Sequence, residues 1–118
     1  MRTESAAAPF SAYRRAIAAG QYRRRKRPAD GLAFVVQNAN AGLTALGASG
    51  SGIGYSTIPH SVAIEFDMFR NTGLGDPSVN HVALLSCGTA PNSASHSPVG
   101  PGCTSVLSGT LPVNLADG

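Results

Sequence analysis

The stretch from Ser61 to Asn71, SVAIEFDMFRN, most constrains how this chain can fold, because its residue types alternate along its length. Successive side chains of a β-strand point to opposite faces of the sheet. If the stretch is a strand, Val62, Ile64, Phe66 and Met68 fall on one face, which is therefore largely apolar. The other face carries Glu65, Asp67, Phe69 and Asn71. The pattern predicts a β-strand with one apolar face and one acidic face.

The acidic face places two carboxylates, Glu65 and Asp67, side by side without a base to neutralise them. The only basic residue near them is Arg70, and the alternation assigns it to the apolar face. Asp76 and His81 follow closely along the chain. A bound cation is the simplest way to neutralise such a cluster. The residues alone leave a second interpretation open, a solvated strand face followed by a turn.

The ligand types indicate two kinds of metal site that share Asp67 and Asp76. These two carboxylates, the Asn71 amide and a backbone carbonyl form an all-oxygen set, which suits Ca²⁺. Addition of Glu65 and a neutral His81 to the same two carboxylates gives a mixed oxygen and nitrogen set. This mixed set suits Mn²⁺ or another first-row divalent metal.

Residues 61–71, 75–77 and 80–82 together resemble the metal-binding segment of L-type (legume-like) lectins. Residues 29–38 resemble the sugar-binding Asp of that family and the buried strand after it. Residues 45–47 and 50–55 resemble the glycine-rich loop between the two motifs. The segment after Cys87 is more similar to bacterial members. The resemblance implies an all-β fold, a concanavalin-like jelly-roll β-sandwich.

The resemblance also implies a function, metal-dependent carbohydrate binding without catalysis, with Ca²⁺ and Mn²⁺ as cofactors and glycans as partners. The metal ligands that it implies are Glu65, Asp67, the backbone carbonyl of Phe69, Asn71, Asp76 and His81. The sugar-binding residues that it implies are Asp30, Gly50 and Asn71. A carboxylate such as that of Asp30 accepts strong, charge-assisted hydrogen bonds from sugar hydroxyls. The peptide bond between Ala29 and Asp30 is expected to be cis, as in the family; the residues alone favour a simple turn there.

The distribution of charge divides the chain near residue 28. Residues 1–27 contain eight of the nine basic residues and one acid, whereas residues 28–118 contain one basic and five acidic residues. We expect residues 1–27 to be a disordered or mis-annotated basic leader. No aromatic residues are interleaved with its basic run, so nucleic-acid binding is not favoured. We expect residues 28–118 to be a partial lectin domain, because a complete domain of this type has roughly 200–250 residues.

Cys87 and Cys103 are the only cysteines, and they flank a loop rich in Pro and Gly. Two cysteines beside a sugar-binding motif suggest a disulfide and an oxidising compartment; a pair of reduced thiols is the alternative. We therefore expect the full-length protein to be secreted or at the cell surface, although no secretory signal peptide is visible in this chain. No apolar stretch is long enough to span a bilayer.

The remaining pattern predicts four further strand regions and long loops between them. Strands are expected at residues 32–37 and 81–86, and short strands at Val106–Leu107 and Leu111–Leu115. Half of a sandwich would expose strand edges and an apolar face, which favours aggregation or an oligomer. His60 and His96 are interpreted as surface or loop residues.

Two other functional classes are compatible with the composition. A glycoside hydrolase on the same fold needs two carboxyl groups, about 5–5.5 Å or about 6.5–9.5 Å apart. Glu65 and Asp67 supply two, but no Glu follows them in the chain, so an enzyme is not favoured. A structural or adhesin fragment that binds nothing is the other alternative. The complete set of acidic, amide and imidazole residues argues against it, because no structural role requires all of them.

Overall fold

The structure is a computed structural model that describes residues 2–5, 28–97 and 100–117. These residues have an all-β fold, as the sequence predicts. The strands are β1 (Arg2–Ser5), β2 (Gly31–Gln37), β3 (Ser61–Asp67), β4 (His81–Ser86) and β5 (Thr104–Thr110). Three short 3₁₀ turns lie in the connections, at Gly42–Thr44, Gly50–Gly52 and Thr72–Leu74. No helix among the described residues is long and apolar enough to cross a membrane.

The strands form one antiparallel sheet in the order β1-β2-β3-β4-β5. Strands β2 to β5 form a four-stranded meander, and β1 adds to its edge with Arg2 opposite Gln37. Four residues of the segment expected to be a disordered leader therefore belong to a strand. Residues 6–27, which include the basic run, lie outside the described residues.

The predicted strands at residues 32–37 and 81–86 are confirmed as β2 and β4, and the strand predicted within the stretch 61–71 is confirmed as β3, which ends at Asp67. Strand β5 is longer than the predicted Val106–Leu107. The predicted strand at Leu111–Leu115 is wrong, because the backbone of this segment forms hydrogen bonds with the Asn80 side chain and not with a neighbouring strand among the described residues. The Asn80 amide donates to the carbonyls of Leu111 and Val113 at 3.3 and 2.6 Å, and its oxygen accepts from the Leu115 N–H at 2.9 Å.

The acidic face of β3 is the buried face of the sheet. The β2–β3 and β4–β5 connections cover it. The core between the sheet and these connections consists of Ala33, Val35, Ile53, Tyr55, Ala63, Ala83, Leu85 and Ala94. The neighbours of Glu65 on the adjacent strands are Ala33 and Ala83, whose small side chains leave room beside the carboxylate. Glu65 therefore lies in the core and not on a solvated strand face.

The opposite face of the sheet is apolar and only partly covered. Cross-strand rows place Phe34, Ile64, Leu84 and Val106 next to one another on this face. Phe34, Val62 and Val106 are 42–46% exposed. The sheet thus has an apolar surface on one side and a layer of loops over acidic residues on the other.

The predicted disulfide between Cys87 and Cys103 is confirmed. It joins the end of β4 to the residue that precedes β5, and it closes the loop that carries Asn92, Ala94 and His96. This loop packs over the acidic face, where the Asn92 amide donates to the Leu85 carbonyl at 3.2 Å and to Ser61 Oγ at 3.0 Å.

Candidate metal centre

Two strands, β3 and β4, and the loop between them bring the predicted metal ligands together. Gly31, Asp67 and His81 are cross-strand neighbours on β2, β3 and β4. The loop after the 3₁₀ turn at Thr72–Leu74 brings Asp76 to the same end of the sheet. The buried members of the cluster are 0–4% exposed: Glu65, Asp67, Asp76 and His81. Residues within 17 positions of the sequence, on two strands and the loop between them, therefore form one buried polar cluster.

Backbone N–H groups orient the two aspartates. Asp67 Oδ1 accepts a hydrogen bond from the Phe69 N–H at 2.6 Å, and Asp76 Oδ2 accepts one from the Asn71 N–H at 2.6 Å. The second oxygen of each carboxylate faces His81. Asp67 Oδ2 and Asp76 Oδ1 lie 3.8 and 3.9 Å from His81 Nε2. Each aspartate thus uses one oxygen to fix its position and presents the other to the imidazole.

Two buried polar atoms in this cluster have no hydrogen-bond partner among the described residues, His81 Nε2 and Asn71 Oδ1. His81 Nδ1 lies 2.8 Å from the Ser78 carbonyl. A carbonyl can only accept, so Nδ1 carries the proton and Nε2 of the neutral ring holds a free lone pair. A buried polar atom without a hydrogen-bond partner lowers the stability of the folded state, and a bound ion is one explanation for the presence of such an atom. Both atoms belong to residues predicted as metal ligands.

Glu65 connects this cluster to two residues that the sequence analysis did not include in it. Its Oε2 accepts a hydrogen bond from the Tyr55 hydroxyl at 2.6 Å. Its Oε1 lies 3.5 Å from His81 Nε2 and 2.6 Å from His96 Nε2. His96 lies in a loop, as one of the two predicted alternatives has it, but not at the surface, since its side chain is 4% exposed. His96 is 31 residues from Glu65, and no local pattern indicates their contact.

The cluster has little positive charge to offset its carboxylates. Arg70 is the only Lys or Arg in residues 28–118, and its Nε donates to the backbone carbonyl of Asp76 at 3.2 Å. Burial raises the pKa of Asp67 from 3.8 to about 7 and also raises the pKa of Glu65. Burial and the nearby carboxylates, chiefly Glu65, raise the pKa of Tyr55, so Tyr55 remains a hydrogen-bond donor to Glu65.

The side chains fit a divalent metal ion. Two sets of three residues offer ligand atoms within 4.8 Å of one another: Glu65, His81 and His96, and Asp67, Asp76 and His81. Ligand atoms ~2.1 Å from a first-row metal lie ~3.0 Å apart at adjacent corners of an octahedron, and ~3.4 Å apart in a tetrahedron. The separations from His81 Nε2 of 3.5–3.9 Å need only a small contraction to reach these values. These acidic and imidazole groups could therefore hold a metal ion.

The predicted sugar-binding residues lie in loops. Asp30 precedes β2, its peptide bond to Ala29 is cis as the resemblance implies, and its carbonyl accepts from the Met68 N–H at 2.8 Å. Asp30 thus lies beside the end of β3, at the start of the loop that carries Asn71. Gly50 begins a 3₁₀ turn with φ +60°, a conformation that favours glycine, and a Cβ there would meet no atom within 4 Å.

Comparisons of the chain with protein-family models, with curated proteins and with solved structures found no match. The site must therefore be interpreted from its own residues: a buried group of three carboxylates and two imidazoles with an unpartnered imidazole nitrogen.

Proposed function

We propose that this chain is a metal-dependent carbohydrate-binding module of the L-type (legume-like) lectin kind, with Ca²⁺ and Mn²⁺ or another first-row divalent metal as its cofactors. The observation that carries the proposal is the buried, unpartnered His81 Nε2 facing the carboxylates of Glu65, Asp67 and Asp76. The alternating strand β3 and the order of the sequence motifs are consistent with it.

In this proposal the transition metal is held by Glu65, Asp67, Asp76 and His81. The Ca²⁺ ion is held by Asp67, Asp76, Asn71 Oδ1 and the Phe69 carbonyl, an all-oxygen set that matches its preference. The unpartnered Asn71 Oδ1 supports this assignment. Bound cations would neutralise the carboxylates and fix the loop that carries Asn71.

The sugar is then bound by Asp30, Gly50 and Asn71. Asp30 would accept hydrogen bonds from two sugar hydroxyls, and the Asn71 amide and the Gly50 N–H would donate to the sugar. Asp30 is only half-buried, and its carboxylate forms no hydrogen bond with the described residues, so it is free to accept from a ligand. The ions would act on sugar binding by holding the loops in place.

We propose that the module binds without catalysis. A glycosidase needs a carboxyl group that can reach the glycosidic oxygen. The raised pKa of Glu65 is a property of general acids, but its oxygens already have partners in Tyr55 and His96, and the residue is buried. Release of reducing sugar from a glycan that the chain binds would contradict this part of the proposal.

The proposal assigns the sheet to a concanavalin-like jelly-roll sandwich, in which a second sheet covers the apolar face. The exposed side chains of Phe34, Val62 and Val106 support it, because a monomeric protein rarely leaves such a contiguous apolar surface bare. We expect Val62→Thr to reduce the binding of a fluorescent hydrophobic dye. Val79 is equally exposed, at 42%, but lies in a loop, so Val79→Thr is the matched control. Equal effects of the two changes would contradict the assignment.

Metal binding is tested by calorimetric titration of the chelator-treated chain with Mn²⁺ and then Ca²⁺. We expect saturable binding that is lost in Asp67→Asn, because this change removes a charged oxygen from both ion sites. Asp117→Asn is the matched control, since Asp117 is an exposed carboxylate far along the chain from the cluster. A folded chain that binds neither ion would overturn the proposal.

Sugar binding is tested on an array of glycans with and without chelator. We expect binding to require the metal ions and to weaken by at least about tenfold in Asp30→Asn, because hydrogen bonds to charged groups contribute roughly 1.5–3 kcal/mol. Metal affinity should be unchanged in this variant. Metal binding without any glycan binding would refute the lectin assignment and leave a metal-binding module.

A further inference from the structure

We propose that His96 is a direct ligand of the transition metal, so that two imidazoles and not one hold this ion. The inference deepens the proposed function and rests on its metal binding. Its basis is the position of His96 Nε2 inside the buried cluster, 2.6 Å from Glu65 Oε1 and 3.5 Å from Asp76 Oδ1.

The two imidazole rings converge on the same carboxylates. The ring centroids of His81 and His96 are 4.9 Å apart, and the rings are inclined at 70° in an edge-to-face arrangement. Both Nε2 atoms lie within 4 Å of Glu65 Oε1 and of Asp76 Oδ1. The ion that would satisfy the unpartnered His81 Nε2 must therefore lie next to His96 Nε2.

The surroundings of His96 permit it to act as a ligand. Its Nδ1 lies 2.5 Å from Ser108 Oγ on β5. A serine hydroxyl can donate or accept, so the ring proton can reside on Nε2, bonded to Glu65, or on Nδ1, bonded to Ser108. Outer hydrogen bonds of this kind orient metal-bound histidines. As a ligand, Nε2 would offer the metal its lone pair in place of the hydrogen bond to Glu65, and the ring proton would reside on Nδ1, bonded to Ser108.

A second imidazole changes which metal the site prefers. Nitrogen ligands favour the later first-row ions, such as Co²⁺, Ni²⁺ and Zn²⁺, whereas carboxylate and water ligands suit Mn²⁺. A site with His81 and His96 should therefore discriminate against Mn²⁺ more strongly than a site with one imidazole. We expect His96→Asn to lower the affinity for Co²⁺ and Zn²⁺ by at least about tenfold and to lower the affinity for Mn²⁺ less.

The matched control removes an imidazole outside the cluster. His60 is exposed and has φ +51°, a conformation that Asn tolerates well, so His60→Asn should leave all metal affinities unchanged. The measurement is competition between Mn²⁺ and Co²⁺ for the chelator-treated chain, followed by calorimetry. A ratio of the Co²⁺ and Mn²⁺ affinities that is the same in the wild type and in His96→Asn would overturn the inference.

A spectroscopic test separates coordination from a purely structural role. In His96→Cys a thiolate would replace the imidazole, and Co²⁺ bound to it should show a sulfur-to-cobalt charge-transfer band in the near ultraviolet. His60→Cys adds the same thiol outside the cluster and should show no such band. Absence of the band from a Co²⁺-loaded His96→Cys chain would overturn the assignment of His96 while the proposed function stands. A folded wild-type chain that binds no divalent metal would overturn both.

Discussion

Individual atoms decide what the acidic strand can do. Glu65 shares its two oxygens between Tyr55 and His96, and Asp67 uses one oxygen for the Phe69 N–H and turns the other toward His81. Backbone and hydroxyl donors therefore position the carboxylates but do not neutralise them. The same strand residues without these partners would be a solvated acidic face.

Gly31 allows β2 to approach β3 beside Asp67. A Cβ at Gly31 would clash with the Phe66 carbonyl and lie 2.9 Å from Asp67 Cα, so both contacts are with backbone that cannot move aside. We expect Gly31→Ala to lower the free energy of unfolding by about 1–3 kcal/mol, measured by urea denaturation. Gly73→Ala is the control, because a Cβ there meets no atom within 4 Å. Equal stability of the two variants would contradict this account of the close approach.

The raised pKa values of the carboxylates predict how stability depends on pH without metal. Folding raises the pKa of Asp67 to about 7, so the folded chain binds protons more tightly than the unfolded chain. This contribution to stability is complete below pH 3.8 and is lost as the pH rises through 7. Burial lowers the pKa of His96, so this residue makes the folded chain less stable as the pH falls below about 6.5. Its effect there is opposite to that of Asp67.

We therefore expect the metal-free chain to be more stable at pH 6.5 than at pH 8. Asp67→Asn removes the titrating group and should make this dependence shallower, whereas Asp117→Asn should preserve it. Chemical denaturation in chelator at a series of pH values measures the effect. A metal-free chain that gains stability from pH 6.5 to pH 8 would show that Asp67 is not protonated in the folded state.

The loop between β4 and β5 is the element that completes the cluster. It places His96 against Glu65, and its ends are joined by the disulfide between Cys87 and Cys103 across 16 residues of sequence. On the β3 side, the connection from β2 supplies Tyr55. The sheet therefore provides the carboxylates, and two loops provide the groups that enclose them.

Loss of the disulfide should destabilise this loop more than the sheet. On the chain-entropy model a closed loop of about 15 residues contributes about 3 kcal/mol, so Cys87→Ser/Cys103→Ser should lower the free energy of unfolding by about this amount. Because the loop carries His96, Co²⁺ affinity should fall more than Ca²⁺ affinity. Cys103→Ser alone should be as unstable as the double variant. Unchanged urea denaturation in the double variant would mean that packing alone holds the loop.

Across the whole molecule, the two faces of the sheet differ in polarity and in burial. One face buries carboxylates that could hold a cation under loops, and the other presents apolar side chains that are stabilised by any surface that covers them. The partly exposed apolar face limits the hydrophobic stabilisation of the sheet. Metal binding should therefore contribute a large share of the stability of the folded chain.

A ligand that binds only the folded state stabilises it in proportion to the logarithm of its concentration. We expect Mn²⁺ and Ca²⁺ at about 100 times their dissociation constants to add roughly 2.7 kcal/mol each, and chelator to reverse the gain. Thermal unfolding followed by circular dichroism measures the shift, and Asp67→Asn should show none. A wild-type melting curve that is the same in metal and in chelator would contradict this linkage.

The sequence by itself determined the features that depend on local order. The alternation in 61–71 predicted β3 and its acidic face, and the cysteine pair predicted the disulfide, because strand periodicity and loop closure are encoded along the chain. Only the tertiary structure decided that the acidic face is buried, that His96 contacts Glu65, and that Asn80 takes up the backbone groups of Leu111–Leu115. These features depend on which loops cover the sheet. Contacts between residues far apart in the chain produce no repeating pattern in the sequence, so the sequence alone does not predict them.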